Sequence, residues 1–258
     1  MSEETLKAVR KLLAQCTHDE RAAIFKELRA AHPIHPYEAV VGAPAEMILE
    51  AVYRAPELTR RMLRGVIADA AFRTFVVAVL AGRGWRDVTP EGNFAYDYSV
   101  ADGRGPITVQ VKLQRSERGA PVVKDGKRYG FDGEVFMTET QKTRTGTDGD
   151  ENQTRPYRYG EFDVLAVSMQ PSSGKWDSYM YTLGRWLLPG KTVSEVATLQ
   201  PVTKVASEFW TDHFEVAAHW FREVDADKRM RDDNALRSSA KRKKRAATKK
   251  APRKRVVK

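Results

Sequence analysis

The sequence predicts an α/β protein: a mixed central β-sheet flanked by helices, with a helical N-terminal region and a disordered basic C-terminal tail. Three patterns lead to this fold class. Residues 3–81 carry apolar side chains at helical spacing, broken by prolines. Residues 107–113 alternate between apolar and polar side chains, which is the period of a half-buried strand. Residues 162–168 include a short apolar run that suits a buried strand.

Three regions follow from the changes in composition along the chain. Residues 1–63 form a helical N-terminal region, residues 64–224 a core, and residues 225–258 a basic tail. In the first region, Thr17 to Glu20 have capping-box form ahead of a helix that we expect to end near Ala31. The tail is rich in charge, alanine and serine, so it cannot bury enough apolar surface to order itself.

The positive charge is concentrated in the tail. The chain has a formal net charge of +10, and residues 237–258 contain twelve Lys or Arg and no acid. The other 236 residues carry 32 Lys or Arg against 34 Asp or Glu, so the body is close to neutral. We therefore expect the tail to bind polyanions with strong salt dependence, while the folded body meets phosphates only through local basic side chains.

Cysteine usage and hydropathy exclude several classes of protein. Cys16 is the single cysteine, which rules out an internal disulfide and a cysteine-rich zinc site. No apolar run approaches the length of a membrane span, and the N-terminus lacks a signal pattern. The expectation is a soluble cytoplasmic protein with no membrane partner and no small-molecule cofactor.

A hairpin spanning residues 94–114 brings candidate catalytic residues together. A helix over residues 64–81 and a glycine-rich exit lead into a strand from Phe94, a turn at residues 102–105 and a second strand. Alternation puts Gln110 and Lys112 on one face of the second strand. Pairing around the turn places Asp97 opposite them, so a carboxylate, an amide oxygen and an ammonium should converge.

This trio suits the hydrolysis of phosphodiester bonds. Carboxylate and amide oxygens are hard ligands of the kind that Mg²⁺ uses, so Asp97 and Gln110 are the candidate metal ligands. The ammonium of Lys112 would orient the attacking water or offset charge in the transition state.

The same residues resemble a known nuclease signature. Asp97 followed by Gln110-Val111-Lys112 is similar to the D…(D/E)-x-K pattern of the PD-(D/E)XK nuclease superfamily, to which type II restriction endonucleases belong. Tyr96 stands where that pattern has proline, and Gln110 stands where it has the second acid. Members of the superfamily with Gln at this position often recruit an acid from the preceding helix. The resemblance therefore implies Asp69 as an additional catalytic residue, and the alternative is an ordinary solvated charge on that helix.

The sequence alone also allows a second candidate catalytic site, called the rival site below. Asp132 with Glu139-Thr140-Gln141 would give an acid followed by Glu-x-Gln, which some members of the superfamily use. The hairpin site is the preferred interpretation because its strands follow a helix in the order of the superfamily's core.

Basic side chains around residues 142–158 are candidate DNA contacts. Lys142, Arg144, Arg155 and Arg158 flank a glycine-rich segment, and arginine suits bidentate contact with guanine N7 and O6. The alternative for these residues is an ordinary solvated loop.

The function expected from these patterns is Mg²⁺-dependent cleavage of double-stranded DNA, most specifically by a type II restriction endonuclease. A homodimer is the expected assembly, because a two-fold protein matches a symmetric site. Two alternatives remain: a repair or junction-resolving nuclease that uses the same site, and a non-catalytic DNA-binding protein that acts through its tail.

Overall fold

The computed structural model describes residues 2–142, 156–224 and 228–232, so most of the predicted tail lies outside the described residues. The chain divides into two compact units, Met1–Leu63 and Arg64–Lys258. The helices of the first unit are α1 (Glu3–Gln15), α2 (His18–Ala31), α3 (Tyr37–Val41), α4 (Ala45–Arg54) and the start of α5 (Glu57–Phe72).

The N-terminus of α2 shows how local sequence sets a helix boundary. The Thr17 hydroxyl accepts a hydrogen bond from the Glu20 amide at 3.3 Å, and the Glu20 carboxylate accepts one from the Thr17 amide at 2.7 Å. This reciprocal pair satisfies two amides that the helix itself leaves unbonded. The capping box and the end of the helix at Ala31 are both confirmed.

The second unit begins with the rest of α5 and continues into strands. A π-helical segment, Arg73–Val77, follows α5 directly, and α6 (Ala78–Ala81) completes the helix predicted up to residue 81. The first strands are β1 (Arg86–Asp87), β2 (Tyr98–Asp102), β3 (Gly105–Leu113), β4 (Ser116–Glu117), β5 (Ala120–Pro121), β6 (Val123–Asp125) and β7 (Glu134–Glu139). The later elements are β8 (Val164–Ser168), α7 (Gln170–Ser173), β9 (Tyr179–Leu183), β10 (Leu199–Thr203) and α8 (Phe214–Glu223).

The central sheet has five strands in the order β1-β2-β3-β8-β9. The β3–β8 pair is parallel and the other pairs are antiparallel, so the sheet is mixed, as predicted. The parallel pair places Gln110 beside Leu165 and Lys112 beside Val167. The apolar run expected to form a buried strand is β8, and all five of its residues are buried.

Each face of this sheet has its own apolar core. On one face, α5, the π-helical segment, α6 and α8 pack on the sheet residues Ile107, Val109, Ala166 and Leu183. On the other face, Leu165, Val167 and Met180 pack against a smaller sheet of order β10-β7-β6. Helices thus flank the central sheet as predicted, whereas the second sheet on the opposite face was not predicted.

The prediction that the first strand of the hairpin begins at Phe94 is wrong. The strand begins at Tyr98, and the rings of Phe94 and Tyr96 stack on each other at 5.4 Å between centroids. The cause is the side chain of Asp97, whose Oδ2 accepts the hydrogen bond from the Val111 amide at 2.8 Å. Because a carboxylate takes the place of a backbone acceptor, the antiparallel ladder ends there.

Candidate active site

The hairpin fixes the position of Asp97 relative to β3. Tyr98 pairs with Val109, and the Asp97 amide donates to the Val109 carbonyl at 2.9 Å. Continuing that register sets Asp97 beside Gln110. Val109 and Val111 point into the helix-covered core, so Gln110 and Lys112 point to the opposite face.

The carboxylate of Asp97 is held by two hydrogen bonds to one oxygen. Its Oδ2 accepts from the Val111 amide and from Nε2 of Gln110, and Nε2 also donates to the Val111 carbonyl at 3.2 Å. Burial raises the pKa of Asp97 to about 6, and the bond from Val111 offsets part of that effect. Although Asp97 is exposed as a residue, its carboxylate lies where a nearby cation would stabilise the charged form.

Asp69 reaches the same place from helix α5. The Tyr98 hydroxyl donates to the Asp69 carbonyl and the Tyr179 hydroxyl to the Ala68 carbonyl, each at 3.0 Å, which ties the helix to the sheet. Burial raises the pKa of the Asp69 carboxyl, and the charges of Asp69 and Asp97 repel each other. Its Oδ1 is buried and accepts no hydrogen bond from the described residues.

Lys112 completes the cluster. Burial lowers the pKa of its ammonium, and three carboxylates, those of Asp97, Glu139 and Asp69, offset part of that effect. The Nζ lies 5.2 Å from the centre of the Tyr157 ring, a cation–π contact that sets the direction of the side chain. The structure thus gathers Asp69, Asp97, Gln110 and Lys112 at one end of the β2–β3 hairpin.

The donor atoms of these residues are of the kind that a magnesium ion prefers. Asp69 and Asp97 offer carboxylate oxygens, including the Oδ1 of Asp69 that no described residue bonds, and Gln110 offers an amide oxygen. Mg²⁺ binds through one or two carboxylates and keeps several waters, so a small oxygen set is sufficient. Within residues 2–142, 156–224 and 228–232, no group of three or more His, Cys, Asp or Glu is arranged for a metal.

The structure separates the residues of the rival site. Asp132 is exposed and precedes β7, while Glu139 ends that strand. The strand Glu134–Glu139 lies between them, and its five residue steps alone span about 17 Å. Glu139 instead lies where its charge acts on Lys112, and its carboxylate is 3.9 Å from the guanidinium of Arg115.

Two residues near Lys112 were not singled out as part of the hairpin site. Glu139 comes near because Gln114 and Thr138 form an isolated bridge between the two sheets. Tyr157 is buried, with its ring edge-on to Phe162 at 5.2 Å between centroids. No local pattern indicates either contact, since each joins segments more than twenty residues apart.

The predicted DNA contacts are only partly described. Arg144 and Arg155 lie outside the described residues. Lys142 stands over the Tyr157 ring at 5.4 Å and pairs with Glu161 at 2.6 Å, so it lies beside the site. Arg158 is exposed, and its backbone bridges to Glu195.

No protein-family model matches the chain, and no curated protein matches it. Among solved structures it is similar to a bacterial homing endonuclease, I-Ssp6803I, with 20% identity and a TM-score of 0.34. That match covers 57% of this chain and 80% of the other.

None of the described helices has the length and apolar character needed to cross a membrane.

Proposed function

We propose that the protein is a Mg²⁺-dependent endonuclease that cleaves double-stranded DNA, and more specifically a type II restriction endonuclease. The observation that carries the proposal is the gathering of two carboxylates with raised pKa values, one buried amide and one partly buried lysine with a lowered pKa at the end of a hairpin. Buried charged groups are costly to a fold, so a cluster with shifted pKa values is a candidate functional site.

Each residue has a role in phosphodiester hydrolysis. Asp97, Gln110 and Asp69 would hold Mg²⁺, which in such sites polarises a phosphoryl oxygen and makes bound water more acidic. Lys112 lies beside these ligands, and burial lowers the pKa of its side chain, which is the direction that a proton acceptor requires. Lys112 would orient the attacking water and take its proton as the water oxygen bonds to phosphorus and the P–O ester bond breaks, and the departing ester oxygen would take a proton from solvent.

Plasmid digestion tests the proposal directly. Purified protein and Mg²⁺ should give discrete fragments from supercoiled DNA that contains the target sequence. Nicking that depends on DNA structure would indicate a junction-resolving or repair nuclease instead. Retardation of DNA without cutting, across plasmids and phage genomes, would contradict any nuclease and favour a binding protein.

Substitutions assign the activity to this site. Asp97→Ala and Lys112→Ala should each reduce the cleavage rate by about 10²-fold or more, because they remove a metal ligand and the group that orients water. Asp132→Ala is the matched control, since it changes an exposed acid of the rival site and should cut normally. Near-normal cutting by folded Asp97→Ala protein would show that the catalytic site lies elsewhere.

A further inference from the structure

The N-terminal unit, residues 1–63, is helical but has almost no interior of its own. None of the helices α1, α2, α3 and α4 contains a buried residue. Large apolar side chains are exposed instead: Leu6, Val9, Leu12, Phe25, Leu28, Ile34, Tyr37, Val40, Val41, Met47, Leu49, Tyr53, Leu58 and Met62. A unit of about 60 residues is marginally stable even with a good core, so these helices need a covering partner.

The apolar side chains lie in stripes and not at random. Leu6, Val9 and Leu12 follow one another at three-residue spacing on α1, which places them along one side of the helix. Phe25 and Leu28 do the same on α2. Short helices are stabilised mainly by packing an apolar face, so exposed stripes on consecutive helices indicate a surface that is buried in the working protein.

The charge of the unit distinguishes between possible partners. It carries nine basic and nine acidic side chains: Lys7, Arg10, Lys11, Arg21, Lys26, Arg29, Arg54, Arg60 and Arg61 against Glu3, Glu4, Asp19, Glu20, Glu27, Glu38, Glu46, Glu50 and Glu57. Several of these pair internally, as Arg29 does with Glu38 at 2.6 Å and Glu46 at 2.7 Å. A neutral surface attracts neither DNA nor an anionic membrane, whereas it presents no net repulsion to another copy of itself.

We infer that residues 1–63 form a two-fold interface with the same residues of a second copy of this chain. Fourteen large side chains at roughly half exposure present on the order of 1,000 Å² of apolar surface. That is similar to the about 800 Å² per partner that a standard interface covers. The interface does not depend on the chemistry at Lys112. Combined with the proposed function, it would put two sites in one particle, as cutting both strands requires.

The test is the mass of the full chain in solution, measured by sedimentation equilibrium without DNA or metal and at high salt. The wild type should have twice the mass of one 29.2 kDa chain. Leu12→Glu and Leu49→Glu, at positions 63% and 65% exposed, should each weaken the dimer at least about tenfold by burying an unpaired charge. Val193→Glu is the matched control, because Val193 is 88% exposed in the other unit.

Hydrogen exchange on the unmodified chain gives a second readout that needs no variant. Amides of residues 3–54 should become more protected as protein concentration rises. A wild type that stays monomeric on the order of 100 μM would overturn the interface. Protection that does not depend on concentration would also overturn it, as would a dimer that both variants leave intact. Since no DNA is present, none of these outcomes bears on whether the protein is a nuclease.

Discussion

At the scale of single residues, the candidate site is defined by groups that are costly to bury. The Asp97 carboxylate shares one oxygen between the Val111 amide and the Gln110 amide nitrogen. Gln110 thus has two possible roles, as a donor to Asp97 through Nε2 and as a metal ligand through its oxygen. The first role needs the amide N–H group and the second needs only the side-chain oxygen, so substitutions at Gln110 can separate them.

Gln110→Glu should lower the melting temperature without metal and increase the shift that Mg²⁺ produces. A second carboxylate beside Asp97 repels it when no cation is present and adds a ligand when one is. Gln110→Leu should cost about 1–3 kcal/mol of stability by leaving Asp97 short of a donor, and should reduce the Mg²⁺ shift. Thermal melts with and without Mg²⁺ measure both. Equal Mg²⁺ shifts in the two variants would show that Gln110 is not a ligand.

The raised pKa of Asp97 predicts the pH dependence of stability in metal-free protein. The folded-state pKa is about 6 against a reference of 3.8, so the folded protein binds more protons than the unfolded chain between these values. Stability should therefore fall as pH rises from 4 through 6, by less than the full pKa shift implies, because Asp97 is exposed as a residue and solvent screens its charge. In the Asp97→Asn protein, this part of the pH dependence of the unfolding free energy should be absent, as measured by urea titrations from pH 4 to 7. An unchanged slope would contradict the raised pKa.

At the scale of elements, helix α5 carries Asp69 into the site by its attachment to the sheet. The helix changes from α to π geometry at Arg73–Val77, about one turn after the two carbonyls that receive tyrosine hydroxyls. Short π-helical segments are frequent at functional sites because they shift side chains relative to a regular helix. The position of Asp69 thus depends on contacts between the helix and β2.

Tyr98→Phe tests this attachment. It removes the hydroxyl that bonds the Asp69 carbonyl at 3.0 Å and should cost about 0.5–1.5 kcal/mol of stability. It should also weaken Mg²⁺ binding, since Asp69 loses a neighbour that holds its helix turn in place. Tyr179→Phe is the matched control: it removes the equivalent bond to Ala68 and should affect stability similarly. Equal Mg²⁺ affinity in the wild type and the Tyr98→Phe protein, measured by calorimetry, would remove Asp69 from the site.

At the scale of the whole molecule, positive charge and the candidate site belong to different parts of the chain. Deleting residues 234–258 removes twelve Lys or Arg and no acid, which leaves a nearly neutral protein. Non-specific DNA affinity and the slope of its dependence on salt should both fall in filter-binding titrations. If base contacts come from residues outside the tail, the truncated protein should still cut the same sequence at low salt. Loss of all DNA interaction at low salt would instead favour the binding-protein alternative.

The sequence by itself determined the features that depend on neighbouring residues. The capping box at Thr17, the end of α2 at Ala31 and the strand Gly105–Leu113 follow from local hydrogen bonding and from the period of apolar residues. The hairpin register that sets Asp97 beside Gln110 follows from the short turn before Gly105. Such contacts join residues close in sequence, so pattern and spacing are enough to predict them.

Only the tertiary structure decided which distant segments meet. The parallel pairing of β3 with β8, the bridge between Gln114 and Thr138, and the approach of Asp69, Glu139 and Tyr157 to Lys112 all join segments far apart in the chain. The late start of β2 at Tyr98 was also decided in the folded structure, because the Asp97 side chain took a hydrogen bond that alternation alone assigns to the backbone. Packing of the two sheet faces selects these contacts, and burial then sets the pKa values that make the cluster a candidate site.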